Sequence, residues 1–157
     1  MNYLSIDTSS NLSSITFYYE SEYYIREEEN IKQHTKILSL TCSKLLKNKI
    51  DKIDFIALAI VPGSYSGLKI GCTFAKGLAF SLNKPIIPIS TFDGMNISIK
   101  DINKYFISIY SHRDYAFSQL FQNGEKIGDC ICDKIENMKK YNIYGYGFDN
   151  KFINDRM

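Results

Sequence analysis

Pro62-Gly63-Ser64-Tyr65-Ser66-Gly67-Leu68-Lys69-Ile70-Gly71 is the stretch on which the reading of this chain turns. It follows an unbroken apolar run, Phe55 to Val61. A run that short, without alternation, reads as a strand covered on both faces. Pro62-Gly63 ends the strand, and Ser64 or Ser66 can cap a helix running from about Ser66 to Leu82. Gly63 and Gly67 allow positive φ or a close approach of backbones. A glycine-bearing helix N-terminus can also cradle an anion. The stretch lacks both the Gly-Lys-Ser/Thr of a Walker A loop and the Gly-x-Ser-x-Gly of a nucleophile elbow.

Inside that helix Gly67, Gly71 and Ala75 recur at every fourth position, with Phe74 and Leu78 beside them. A helix-interior glycine costs roughly 1 kcal/mol, so Gly71 calls for tight packing against something. Two readings stay open: packing within the subunit, or a face that docks on a partner. A second helix joins the argument at about 33–48, where Ile37, Leu38, Thr41, Leu45 and Leu46 recur at helical spacing. Glu27, Glu28 and Glu29 precede it and Lys44, Lys47 and Lys49 close it, an order that complements the helix dipole.

Upstream lie three short strands, Tyr3 to Asp7, Leu12 to Tyr19 and Glu22 to Glu28, in the pattern of an antiparallel meander. Downstream, Asn83-Lys84-Pro85 stops the helix, Ile86 to Ile89 is a further strand, and Ser90-Thr91 starts a helix. The order β-β-β-α-β-α-β predicts an α/β fold with the mixed sheet of an actin-like (ASKHA, ribonuclease H-like) lobe over residues 1–98. Strands then restart at Tyr105 to Tyr110, Tyr115 to Phe121, Lys126 to Asp133 and Asn142 to Tyr146, with Asn123-Gly124 as a two-residue hairpin turn. Residues 99–157 therefore read as a shortened second lobe.

The composition of the 157 residues bounds the function. Apolar residues make up 45%, enough for a core, and the net charge of +2 is too small for a nucleic-acid footprint. Any service to RNA is expected to pass through a partner. The four cysteines show no disulfide framework, and Cys130 and Cys132 read as buried structural thiols. His34 and His112 form no ligand pair, which argues against a metallopeptidase. Met1-Asn2-Tyr3 leads straight into a strand and no apolar run approaches the roughly 20 residues of a membrane span, so the expectation is a cytoplasmic protein with no membrane contact. Asp7-Thr8-Ser9 ends the first strand, where it serves either as a polar turn cap or as a loop facing nucleotide phosphates.

Leu4-Ser5-Ile6-Asp7-Thr8-Ser9, His34-Thr35, the Pro62–Gly71 stretch, Ala75-Lys76-Gly77-Leu78-Ala79, Pro85 and Ser90-Thr91 together resemble the TsaB (YeaZ) family, strongly over residues 1–92. The resemblance implies a non-catalytic scaffold subunit in the formation of threonylcarbamoyladenosine (t6A) on N6 of adenosine 37, in tRNAs reading codons that start with A. It implies a heterodimer with the catalytic subunit TsaD, the ATPase TsaE as a further partner, a homodimer when TsaD is absent, and contact with tRNA only through the complex. ATP or ADP and the metal are then expected on partner subunits, with no cofactor required here. The same resemblance makes His34, Ile37, Leu38, Thr41, Leu45, Gly67, Gly71, Phe74, Ala75 and Leu78 the expected docking face, and Asp7, Thr8 and Ser9 a relic phosphate loop.

The chain departs from the family in its second lobe. Relatives carry Ile-Asp-Ala-Arg where this sequence reads Ile109-Tyr110-Ser111-His112, and they continue well beyond Gly147. The lost acid weighs against the competing reading of a small-molecule kinase of the hexokinase/acetate-kinase class. A stand-alone homodimeric interaction protein is the other alternative.

Overall fold

In the computed structural model, residues 1–10, 12–29, 34–138 and 143–146 are described, the side chains of residues 29, 34–37, 112, 138 and 143–146 excepted. The chain divides into two compact units, Met1–Ser90 and Thr91–Met157.

The first unit is a five-stranded sheet in the order β3-β2-β1-β4-β5. Strands β1 (Tyr3–Asp7), β2 (Leu12–Tyr19) and β3 (Glu22–Glu29) form the antiparallel meander, while β4 (Phe55–Ala59) and β5 (Ile86–Ile89) run parallel to β1. Helices α1 (His34–Leu46) and α2 (Tyr65–Leu82) complete the unit. This is the mixed sheet of the actin-like fold. Alternation decides the faces. Leu4, Ile6, Ile15, Phe17 and Ile56 point to the helices and form one core with Leu38, Leu46 and Ala75. On the other face Phe55, Tyr3, Tyr18 and Tyr23 make a row of rings across four strands, with centroids 5.2, 5.1 and 4.8 Å apart in turn.

Two local details differ from the sequence reading. Glu27, Glu28 and Glu29 pair with Ser14, Ser13 and Leu12 as the end of β3, and α1 has no acidic residue in its first turn. The expected complement to the helix dipole therefore exists only at its C-terminal end, through Lys44. Strand β4 ends at Ala59, short of Val61, although the Ile60 amide still donates to the Ile89 carbonyl at 3.0 Å. Ser64 caps α2, and Asn83 closes it in the left-handed region with φ 52°.

The second unit repeats the strand order in a four-stranded sheet, β8-β7-β6-β9. Here β6 (Lys104–His112), β7 (Tyr115–Gln122) and β8 (Glu125–Lys134) are antiparallel, and β9 (Ile143–Tyr146) is parallel to β6. The short helix α3 (Thr91–Asn96) belongs with this sheet. Its Phe92 is buried with Tyr105, Ile107, Ile109 and Phe121. Its Asn96 accepts from the Tyr105 hydroxyl at 2.5 Å and donates to the Gly124 carbonyl at 2.9 Å. Among the described residues, no helix is long and apolar enough to cross a membrane.

Candidate functional site

The end of β1 meets the start of α2, and there the two polar segments singled out in the sequence come together. Asp7 closes β1, and its Oδ1 accepts the Ser9 amide at 2.8 Å, a local turn in which the side chain stands in for backbone. Thr8 is 1% exposed, and its hydroxyl donates to the Gly67 carbonyl at 2.8 Å. The Ser9 carbonyl accepts the Ser64 amide at 2.6 Å. Ser64 then caps α2, its Oγ accepting the Gly67 amide at 3.4 Å.

This contact explains the glycines. A Cβ at Gly67 would land on the Thr8 carbonyl oxygen, and one at Gly71 on the Thr8 Oγ1. Close approach, not positive φ, is what glycine provides at both positions. Ala75 and Ala79 continue the stripe into the core. One expectation is corrected as a result. Gly67, Gly71 and Ala75 face β1 of their own unit, so they cannot form a docking face; Leu38 and Thr41 of α1 are likewise buried in that unit. Thr8 and Ser9, two of the residues expected to form a relic phosphate loop, are buried and bonded to the start of α2. Of the other expected docking residues, Leu45, Phe74 and Leu78 are half-buried against the same core. The side chains of His34 and Ile37 lie outside those described.

Sequence reasoning missed the apolar residues that the two helices do expose. Leu40 on α1 is 51% exposed, and Tyr65 and Phe80 on α2 are 74% and 91% exposed. The signal was available in the spacing: Phe80 lies opposite the Gly67–Gly71–Ala75 stripe on a 3.6-residue period.

Register aligns the two sheets. Ile6 is the last β1 residue paired with β4, and Ile109 the last of β6 paired with β9. Tyr110 therefore holds the place of Asp7. Beyond it β6 runs on through an irregularity to His112, paired with Tyr115 across a two-residue turn. A tight hairpin replaces the loop that follows β1.

Comparison with known proteins accords with this architecture. The model of the family described as TsaD, tRNA N6-adenosine threonylcarbamoyltransferase, matches residues 21–110. The tRNA threonylcarbamoyladenosine biosynthesis protein TsaB of Haemophilus influenzae is 32% identical over 82% of this chain and 63% of its own length. This chain belongs to the TsaD family, as a TsaB-type member. The tRNA N6-adenosine threonylcarbamoyltransferase of Borreliella afzelii is 33% identical over 90% of this chain, but over only 38% of its own length. The TsaB-type fold is shared with the crystal structure of YeaZ from Pseudomonas aeruginosa, with a TM-score of 0.70 at 22% identity, covering 83% of this chain and 66% of that one. The chain thus spans less than two thirds of the length of both curated relatives.

Proposed function

We propose that this chain serves t6A formation on tRNA as a non-catalytic partner subunit, held in the cytoplasm in a complex with TsaD. One observation carries the reading. The turn after β1, where an actin-like ATPase would hold phosphate, is occupied by the Thr8–Gly67 and Ser9–Ser64 contacts of its own chain. With the Thr8 hydroxyl and the Ser9 amide already donating within the chain, the loop has fewer donors left for a phosphate. Tyr110, in the place of the second acid, supports the same reading. Nucleotide and metal then belong to TsaD and TsaE, and tRNA is met through the complex.

Docking uses the solvent sides of α1 and α2 and not the buried stripe. Leu40 and Phe80 are the anchors, as exposed apolar side chains on the two helices. In the absence of TsaD a second copy covers the same residues. The test is co-purification with TsaD of Leu40→Glu and Phe80→Glu variants, together with nucleoside analysis of tRNA from cells relying on them. Both variants should keep the wild-type melting curve, lose complex by about tenfold or more, and lower t6A. Unchanged complex and t6A would overturn the docking face. Magnesium-dependent ATP turnover by the isolated chain, abolished by Asp7→Asn, would overturn the non-catalytic role.

A further inference from the structure

An open sheet edge is a template for another strand, and folded proteins guard their edges against it. Among the described residues, three of the four edges here are short or broken. Strands β5 and β9 have four residues each, and β5 carries Pro88. Strand β8 is interrupted by a bulge, where its register with β7 shifts between Ser118 and Leu120 and Gly128 takes φ 65°. Strand β3 differs from all three. It holds register with β2 over eight residues without a break, from Glu22 against Tyr19 to Glu29 against Leu12. It has neither proline nor lysine, and its large apolar side chains stand open: Tyr23 is 63% exposed, Ile25 50% and Tyr24 38%.

The sequence of β3 is complementary to itself in one antiparallel register, the one centred on Tyr24. There Glu22 of each copy lies opposite Arg26 of the other, Tyr24 opposite Tyr24, and Tyr23 opposite Ile25. Residues 22, 24 and 26 share one face of the strand and residues 23 and 25 the other. Opposite charges and aromatic–β-branched neighbours are the favourable cross-strand pairs. Glu27 and Glu28 then fall beside the Glu20-Ser21 turn, where the other copy's hairpin bends away. Centring on Ile25 instead sets Glu22 against Glu28 twice inside the ladder, and like charges directly opposite are destabilising.

The side chains are prepared for the first register. The Tyr24 hydroxyl donates to Glu22 Oε2 at 2.7 Å, which fixes the carboxylate on its face. Among the described residues Arg26 meets no carboxylate of its own chain, and its guanidinium reaches only the Ile25 carbonyl, at 3.3 Å. On the opposite face Tyr23 ends the row of rings that begins at Phe55, and Ile25 of a second copy would continue it.

We infer that β3 is a self-association edge. A second copy adds its own β3 antiparallel, in the register centred on Tyr24, and the two five-stranded sheets become continuous through an isologous contact. This contact uses the backbone of β3 and is independent of Leu40 and Phe80.

The test is sedimentation equilibrium on the full chain carrying Leu40→Glu and Phe80→Glu, which silences association through the helices. The chain should dimerise as its concentration rises. Arg26→Glu sets like charges opposite at two symmetric places and should weaken the dimer by about tenfold or more. Glu22→Arg should do the same, and the two together, which restore the pairs in reversed order, should recover most of the loss. Register is read by cysteine cross-linking. Cys130 and Cys132 are exposed on β8, not the buried structural thiols that the sequence suggested, and are replaced by serine first. Tyr24→Cys faces itself across the two-fold axis and should oxidise to a covalent dimer. Tyr23→Cys or Ile25→Cys alone should not, while a mixture of those two variants should. A monomer at every concentration reached, a charge swap that fails to restore pairing, or equal cross-linking at all three positions would each overturn the proposal.

Discussion

The two sheets share one strand order yet solve the end of their central strand differently. After β1 the chain makes a loop that receives the N-terminus of α2, and Thr8, Ser9, Ser64 and Gly67 knit the two together. After β6 it continues through Tyr110 and turns tightly at Arg113-Asp114 into β7. The first arrangement is a loop braced against a helix, while the second is a tight hairpin. The comparison teaches that one strand topology can end its inner strand in two ways, in one unit by packing against a helix and in the other by a hairpin.

Four substitutions put that comparison under strain. Gly67→Val should have the largest effect, costing about 3 kcal/mol or more because its side chain meets the Thr8 backbone, which has no rotamer to escape into. Hydrogen exchange should show the loss in β1 and α2 amides; equal loosening of β6 and β7 would mean that the units do not differ as described. Thr8→Val keeps the shape but leaves the buried Gly67 carbonyl without its hydroxyl donor, for about 2 kcal/mol in urea denaturation. Ser108→Ala breaks the buried hydroxyl pair with Ser118, 2.7 Å apart between β6 and β7, for about 1 kcal/mol confined to the second unit. The smallest effect is at the surface. Asn137 donates to both Asp133 oxygens at 3.0 Å and, with the Lys134 amide, holds that carboxyl below its ordinary range. Asn137→Ala should return it upward in an NMR titration. Because the folded-state value is lowered, whatever it contributes is present above the ordinary carboxylate range and fades as pH falls through the lowered value.

The strands and α2 were legible because their signals are local. The apolar run at Phe55, the meander of β-branched and aromatic residues, and the Asn83 stop each depend on neighbours in sequence. The direction of the Gly67–Gly71–Ala75 stripe was not legible. Small residues at every fourth position suit a foreign helix or the chain's own strand equally, and only the arrival of Thr8, distant in sequence, decides between them. Cys130 and Cys132 misled for a related reason. Cysteine is a good guess for the interior, but nothing local says that β8 is an edge. The glutamates before α1 fit a helix start by charge and a strand by pairing, and the β2 register settled the matter.

The Thr8–Gly67 contact also has a mechanical side. A helix bonded to the central strand at its first turn, with no room for a side chain between them, cannot pivot independently of the sheet. Any partner that grips the far end of α2 at Phe80 therefore grips the whole first unit. Little conformational freedom is left there to be lost on association, so more of the contact free energy survives as affinity. The filled loop makes α2 a handle rather than a hinge.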